Sequence, residues 1–227
     1  MLRVADFVVL LRMAEDEDDD EEKVGPTIRY LQKLGAEHVD LIFETSEWVF
    51  EANPMAAIDI FVADLEEVES LPRHQTMAHL DKISRQACVT YLEHIIHQLG
   101  EEGPQFHEKL IELYLAEVQA RGTTDKQAGP YRKLLDFLDS STAYRPDRML
   151  GRLPSEDLYE VRAILLGRLG RHEGALQIYV YQLDDHATAE EYAQLQLIRT
   201  PRLPELTPRL IPVLAAATAR ACTPRCL

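Results

Sequence analysis

The chain is poor in cysteine, which excludes a fold built on disulfides. It has three cysteines in 227 residues, Cys88, Cys222 and Cys226, whereas small secreted domains that depend on disulfides are rich in them. We therefore expect a reducing compartment. Cys222 and Cys226 have no companion Cys or His pair at ligand spacing, and a structural zinc site needs four ligands. No metal site is predicted.

Basic residues are also scarce. The 24 Lys and Arg are outnumbered by 39 Asp and Glu, which gives a formal net charge of −15. A protein that binds nucleic acid generally needs a cluster of Lys and Arg to displace counterions from the phosphates. The sequence has no such cluster, and this argues against a general nucleic-acid binder.

Long hydrophobic runs are missing as well. The N-terminal segment MLRVADFVVLLRMA is interrupted by Asp6 and Arg12 and is not followed by a small-residue cleavage site. The segment LIPVLAAATA near the C-terminus is too short to span a bilayer, because spanning takes roughly 20 apolar residues. We expect a soluble cytosolic protein.

Apolar residues recur at intervals of three and four, the spacing of an amphipathic helix. Asn53 can cap a helix whose first turn contains Pro54. Predicted buried stripes are Val39, Ile42, Phe43, Val49 and Phe50; Ala57, Ile58, Phe61 and Val62; Met77, Leu80 and Ile83; Cys88, Tyr91, Leu92, Ile95, Ile96 and Leu99; Phe106, Leu110, Leu113, Tyr114 and Val118; Leu134, Leu135 and Leu138; Leu158, Val161, Leu165 and Leu169. The pattern predicts an all-α fold, an α-solenoid of antiparallel helix pairs.

Composition divides the chain into four predicted segments. Residues 1–14 form a short N-terminal helix, and residues 15–25 form a disordered linker because eight acids in a row (15–22) repel one another. Residues 26–198 form the solenoid. Residues 199–227 form an irregular tail with five Arg and five of the 12 Pro, and proline interrupts regular helices.

One glycine-rich stretch, LLGRLGRHEGALQIYVYQL at residues 165–183, raises the question of a phosphate-binding loop. Such loops follow a strand, and a P-loop also needs a Lys-Ser/Thr pair; here a helical pattern precedes and no Lys follows. We interpret it instead as a tetratricopeptide-like corner between two helices. Gly170 ends the first helix in a left-handed conformation, and small residues allow close approach. The predicted corner comprises Gly167, Gly170, Gly174, Ala175 and Tyr179.

No catalytic or cofactor-binding pattern is found. His94 and His97 are one helical turn apart, but the neighbouring Ile95 and Ile96 define the buried side. We expect both histidines at its edges rather than as metal ligands. Cys88 lies on an apolar stripe and is interpreted as a small core residue. We predict no catalytic residues and no cofactor, and a protein that acts by binding others.

Several long segments resemble the vacuolar protein sorting-associated protein 39 family. They are LIFETSEWVF, EVESLPR, YLEHIIHQLGEEGPQFHEKLIELYLAEVQ and ILLGRLGRHEGALQIYVYQLDDHATAEEYA, and the likeness runs from Thr27 to Ala193. They are similar, less closely, to the TGF-β receptor-associated protein of the CORVET complex. The resemblance implies a clathrin-heavy-chain-type solenoid without catalytic residues.

The same resemblance implies a role in membrane tethering. Members of the family are subunits of the HOPS complex, which tethers late endosomes, autophagosomes and lysosomes or vacuoles before fusion. Implied partners are other HOPS or CORVET subunits, with a late-endosomal Rab GTPase and SNAREs reached indirectly and membranes reached through partners. A receptor-signalling adaptor is the alternative. The tail after residue 198 departs from the family pattern, which suggests a truncated, alternatively spliced or mispredicted C-terminus.

Overall fold

A computed structural model of the chain describes residues 20–121, 129–154 and 157–199. These ranges contain helices and no strand, so the predicted all-α class is confirmed. The predicted helix at 1–14 and the tail from residue 200 onward lie outside the described residues. The helices are α1 Asp20–Leu31, α2 Val39–Ala52, α3 Pro54–Ala57, α4 Asp59–Val62, α5 Glu66–Glu69, α6 Arg73–Ile83, α7 Arg85–His97, α8 Pro104–Arg121, α9 Gly129–Ser140, α10 Pro146–Arg152, α11 Tyr159–Arg168, α12 His172–Gln177 and α13 His186–Arg199, with a 3₁₀ turn at Ala36–His38 and a π-helical turn at Ile178–Gln182.

The first helix begins earlier than the sequence analysis predicts. Helix α1 starts at Asp20, so residues 20–25, predicted as part of a disordered linker, are helical. Val24, Ile28 and Leu31 are 3%, 7% and 1% exposed and follow one another at spacings of four and three. Val24 therefore belongs to a buried helical stripe, and its burial favours helix in a stretch where repulsion among neighbouring acids opposes it.

The chain divides into two compact units, Met1–Phe106 and His107–Leu227. In the first, helices α6 and α7 form a hairpin around a single extended residue, Ser84. The N–H of Ala87 donates to Ser84 Oγ (3.4 Å) and so caps α7. The fully buried side chains here include Ile42, Val49, Leu80, Cys88, Leu92 and Ile95.

The cap predicted at Asn53 is confirmed. The N–H of Ala56 donates to Asn53 Oδ1 (3.1 Å), and Pro54 occupies the first turn of α3. The stripe predicted after it is partly wrong, because Ile58 and Val62 are only half-buried whereas Ile60 is buried. The segment is two four-residue helices that meet at Ile58 rather than one helix. The break changes which positions face the core.

In the second unit, two ion pairs show how α8 and α10 are arranged. Arg148 binds Glu108 (3.1 Å), and Arg152 binds Glu112. Both partners advance by four residues, one helical turn. The two helices therefore run in the same direction, as helices in corresponding positions of successive helix pairs do.

Helix α9 is held at its C-terminal end by residues from later in the chain. The carbonyl of Leu138 accepts a hydrogen bond from Tyr144 Oη (2.9 Å) and one from Arg168 Nη2 (3.3 Å). Arg168 also donates to the carbonyl of Asp139. The last carbonyls of a helix lack partners within it and carry partial negative charge, so a guanidinium there stabilises the end.

Candidate functional site

The predicted corner lies between α11 and α12. Gly170 has φ +72°, in the left-handed region that favours glycine. Its N–H donates to the carbonyl of Gly167 (3.1 Å), and the N–H of Arg171 donates to the carbonyl of Leu166 (2.9 Å). This pair of bonds is the Schellman motif that ends many helices. Both N–H groups are used within the corner, so they are not available to bind a phosphate.

Two of the other predicted residues lie in the core beside the corner. Ala175 is fully buried and Tyr179 is nearly so. They pack in one cluster with Ala163, Leu176, Val180, Ala189 and Ala193. A Cβ added to Gly174 would lie 3.4 Å from Leu166 Cδ1. Small side chains thus allow α11 and α12 to approach closely, while α13 covers the same cluster.

Gly167 meets a third helix rather than α12. A Cβ at Gly167 would lie 2.6 Å from Tyr192 Oη on α13. Tyr192 Oη forms a hydrogen bond with His172 Nδ1 (2.8 Å), and its ring lies 5.7 Å from that of Tyr179. Tyr192 and His172 therefore belong to the corner, although the sequence analysis did not include them. Tyr192 is 20 residues from His172 and lies on another helix, so no local spacing indicates that it meets His172 and Gly167.

The side chains of His172, Tyr179 and Tyr192 are neutral at physiological pH. Burial lowers the pKa of His172 and raises the pKa of Tyr192 and of Tyr179 to about 12. Burial disfavours the charged form of each group, which gives these directions. The contact between His172 and Tyr192 is therefore a hydrogen bond between uncharged groups, which joins two helices. It supports packing rather than acid–base catalysis.

A serine–histidine pair in the first unit has the wrong hydrogen-bond polarity for a nucleophile. Ser46 Oγ donates to the carbonyl of Phe43 (2.8 Å) and contacts His79 Nε2 (2.9 Å). A serine that donates its proton to the carbonyl can only accept from the histidine, so the two contacts form together in the tautomer that carries a proton on Nε2. A general base must accept the proton of its nucleophile. The pair therefore fastens α2 to α6, with His79 stacked on Phe43.

His94 and His97 lie where the sequence analysis places them, at the edge of α7. His94 is half-buried and lines a shallow pocket with Arg73 and Tyr91, whereas His97 is exposed. Arg73 is paired with Glu101. Within the described ranges, no group of three or more His, Cys, Asp or Glu could hold a metal ion.

None of the described helices is both long and apolar enough to cross a bilayer.

The family assignment follows from comparison with known sequences. The model of the family described as "Region in Clathrin and VPS" matches residues 84–203, more than half of the chain. The chain belongs to this family. The match begins at Ser84, the cap of α7, and extends past the end of α13. It therefore includes the corner and the helices that pack on it.

Similar curated proteins carry the name that the resemblance suggests. The human Vam6/Vps39-like protein is 43% identical over 184 aligned positions, which cover 73% of this chain and 21% of that protein. The Drosophila melanogaster Vacuolar protein sorting-associated protein 39 homolog is 39% identical and covers 74% of this chain and 20% of its own length. The human Transforming growth factor-beta receptor-associated protein 1 is 32% identical, covering 67% and 19%. The resemblance to the family of vacuolar protein sorting-associated protein 39 is confirmed.

These matches cover only part of each relative. The chain spans about a fifth of the length of the curated relatives that it matches. No solved structure matches significantly.

Proposed function

We propose that the chain is a non-enzymatic subunit, or part of one, of an endosomal and lysosomal membrane-tethering complex. The observation that supports this most is the 43% identity to the human Vam6/Vps39-like protein across most of the chain. The chain would act in vesicle fusion and in endolysosomal and autophagic trafficking by binding other subunits of HOPS or CORVET. Contact with a late-endosomal Rab GTPase and with SNAREs would pass through those subunits.

The structure of the described residues supports a binding role in two ways. Its polar side-chain pairs, such as His172 with Tyr192 and Arg148 with Glu108, join one helix to another, so these polar groups contribute to packing. Stacked helix pairs expose long surfaces whose function is set by the partner that fits them. On this proposal the chain works at the cytoplasmic face of late endosomes, lysosomes or vacuoles and is held there by its partners.

A receptor-signalling adaptor is the second candidate. It is favoured by the 32% identity to the human Transforming growth factor-beta receptor-associated protein 1. The lower identity makes it the weaker proposal.

The direct test is a binding assay with the purified full chain. Each HOPS and CORVET subunit is presented separately, and the cytoplasmic tail of a TGF-β receptor is presented in parallel. Recovery of at least one tethering subunit in preference to the receptor tail is expected. Recovery of the receptor tail alone would favour the adaptor, and failure to recover any tethering subunit would contradict the proposal.

A matched control separates folding from recognition. Gly170→Val puts a β-branched side chain at φ +72° and disturbs the corner, whereas Gly151→Ala adds a methyl group that meets nothing within 4 Å. If the folded helices form the binding surface, the Gly151→Ala variant is expected to retain binding. A comparison of far-UV circular dichroism for both variants shows whether any loss comes from unfolding.

A further inference from the structure

One helix of the first unit presents a solvent face with charge of a single sign. The exposed residues Asp40, Glu44, Glu47 and Glu51 of α2 are separated by four, three and four positions. At about 100° per residue they fall within roughly 60° of the helix circumference. We call this set, together with Trp48, the acidic face of α2. The buried residues of α2, among them Ile42 and Val49, lie on the opposite side.

Nearby sequence supplies no opposite charge. Between Leu34 and Pro72 there are ten Asp or Glu and no Lys or Arg. Solvent-exposed helices commonly pair acids with bases three or four positions apart, and like charges at that spacing destabilise a helix by a few tenths of a kcal/mol each. A face kept only for solubility does not need this arrangement, because interspersed charges of both signs serve that purpose.

Apolar side chains accompany the acids. Trp48 is partly exposed and adjoins the acidic stripe, since it follows Glu44 by four positions and precedes Glu51 by three. Met55 lies just beyond the C-terminal end of α2 and is 83% exposed. Tryptophan and methionine are enriched at protein interfaces relative to the rest of the protein surface, so their exposure beside the acids favours an interface here. Tryptophan is also the aromatic ring on which a guanidinium binds best.

We propose that the acidic face of α2 is a docking surface for an arginine-rich helical segment of another protein. Arginines one helical turn apart would match the spacing of Asp40, Glu44, Glu47 and Glu51. One of them would lie over the Trp48 ring, and an apolar residue of the partner would contact Met55. Charge complementarity selects this occupant, because the acidic face of a second copy would bring acids against acids. The five arginines of residues 199–227 lie among five prolines, which interrupt the regular helix that the spacing of the acids calls for.

The surface consists of residues of α2 and of Met55, which belongs to α3. Its test does not depend on the tethering role proposed above.

The test uses a defined probe. A synthetic helical peptide of about 18 residues carries four arginines spaced four, three and four apart, with leucine and alanine between them. A second peptide has glutamine in place of each arginine. Binding to the full chain is measured by fluorescence anisotropy at low and at physiological salt. We expect binding of the arginine peptide, weaker binding as salt rises, and none of the glutamine peptide.

Matched variants locate the binding surface. Glu44→Lys/Glu47→Lys is expected to weaken binding at least about tenfold, because it replaces attraction with repulsion at the centre of the face. Asp59→Lys/Asp64→Lys changes the net charge equally at exposed positions outside it and is expected to change affinity by less than about twofold, since exposed charges away from a contact are screened. Trp48→Ala is expected to weaken the binding that remains at physiological salt.

Three results would overturn the proposal. Equal weakening by the two double variants would show general attraction to an acidic protein. Binding unaffected by Glu44→Lys/Glu47→Lys would place the peptide elsewhere, and self-association of the chain through Trp48 would make a second copy the occupant. Circular dichroism of each variant ensures that an unfolded protein is not scored as a loss of binding.

Discussion

Single residues decide where the helices of the second unit end and turn. Gly170 ends α11 because its left-handed conformation allows two N–H groups to return to the helix carbonyls. Gly167 allows Tyr192 to approach α11 within a distance that a side chain would block. Gly170 is needed for its backbone conformation and Gly167 for close packing, although the two lie three residues apart.

Two glycine substitutions are expected to have opposite effects on stability. Gly170→Ala should destabilise the chain by about 1 kcal/mol, because an L-residue in the left-handed region is strained. Gly151→Ala, inside α10 with open space around its Cβ, should stabilise it by about 0.5 to 1 kcal/mol, because alanine is the better helix former. Urea denaturation of both variants and the parent chain measures the difference. The same sign for both would contradict the assignment of Gly170 as a conformational requirement.

The lowered pKa values of two histidines predict that the stability of the fold depends on pH. Burial lowers the pKa of His79, with Glu47 opposing the shift and Lys82 adding to it, and burial lowers the pKa of His172. The folded state therefore binds fewer protons than the unfolded state between the lowered pKa values and 6.5, the unperturbed value. The stability present above about pH 6.5 should fall as the pH drops through that window.

The measurement is the melting temperature between about pH 7.5 and 5.5, a window chosen above the range in which most carboxylates titrate. His79→Gln/His172→Gln should flatten the slope, since glutamine takes up no proton. His38→Gln, at an exposed position, is the control and should leave the slope as it is. A slope unchanged by the double substitution would assign the pH dependence to other groups.

At the scale of elements, contacts between helices far apart in sequence hold the second unit together. Arg148 and Glu108 are 40 residues apart, and Arg168 lies 30 residues from the Leu138 carbonyl that it caps. The side chain of Glu108 is 9% exposed and that of its partner Arg148 is 59% exposed. A carboxylate buried to that degree needs a partner more than an exposed one does, because it has lost most of its water.

Removal of two arginines should therefore have unequal effects. Arg148→Ala is expected to destabilise the chain by about 1 to 2 kcal/mol, because Glu108 keeps its charge in a poorly hydrated position. Arg132→Ala breaks a pair with Asp136 in which both side chains are more than two-thirds exposed, and it should cost at most about 0.5 kcal/mol. Chemical denaturation of the two variants makes the comparison. Equal costs would mean that burial of Glu108 does not control the energy of its ion pair.

At the scale of the whole molecule, net charge affects which surfaces the chain can bind in the absence of a partner protein. A formal charge of −15 repels nucleic acid and the anionic cytoplasmic face of membranes. Our proposed function therefore assigns membrane attachment to partners.

Vesicle sedimentation tests this assignment. The purified chain alone should stay in the supernatant with phosphatidylserine-containing vesicles at physiological salt, because like charges repel. It should co-sediment once a membrane-bound tethering subunit that it binds is added. Phosphatidylcholine vesicles are the neutral control. Direct sedimentation with the anionic vesicles would show that the chain carries its own membrane-binding surface.

Periodicity predicted the helices well where a helix is long and continuous. The cap is at Asn53 as predicted, and Ile42, Val49 and Phe50 of α2 are buried as predicted, whereas Val39 and Phe43 are only half-buried. The prediction was wrong at Ile58, where two short helices meet and the phase of the buried face changes. It was wrong again at residues 20–25, which are helical and include the buried Val24, because a run of acids in the sequence does not show which neighbouring residue will be buried.

The sequence by itself determined the all-α class, the position of most helices and the absence of a recognisable catalytic motif. These depend on the types and spacing of nearby residues, which local propensity and solvent exclusion convert into helices. Only the tertiary structure brought Tyr192 to Gly167 and His172, paired Glu108 with Arg148, and showed that Ser46 gives its proton to a backbone carbonyl. Such contacts depend on which helices pack together and at what distance. Helix packing depends on contacts throughout the core, and no short segment of sequence determines it.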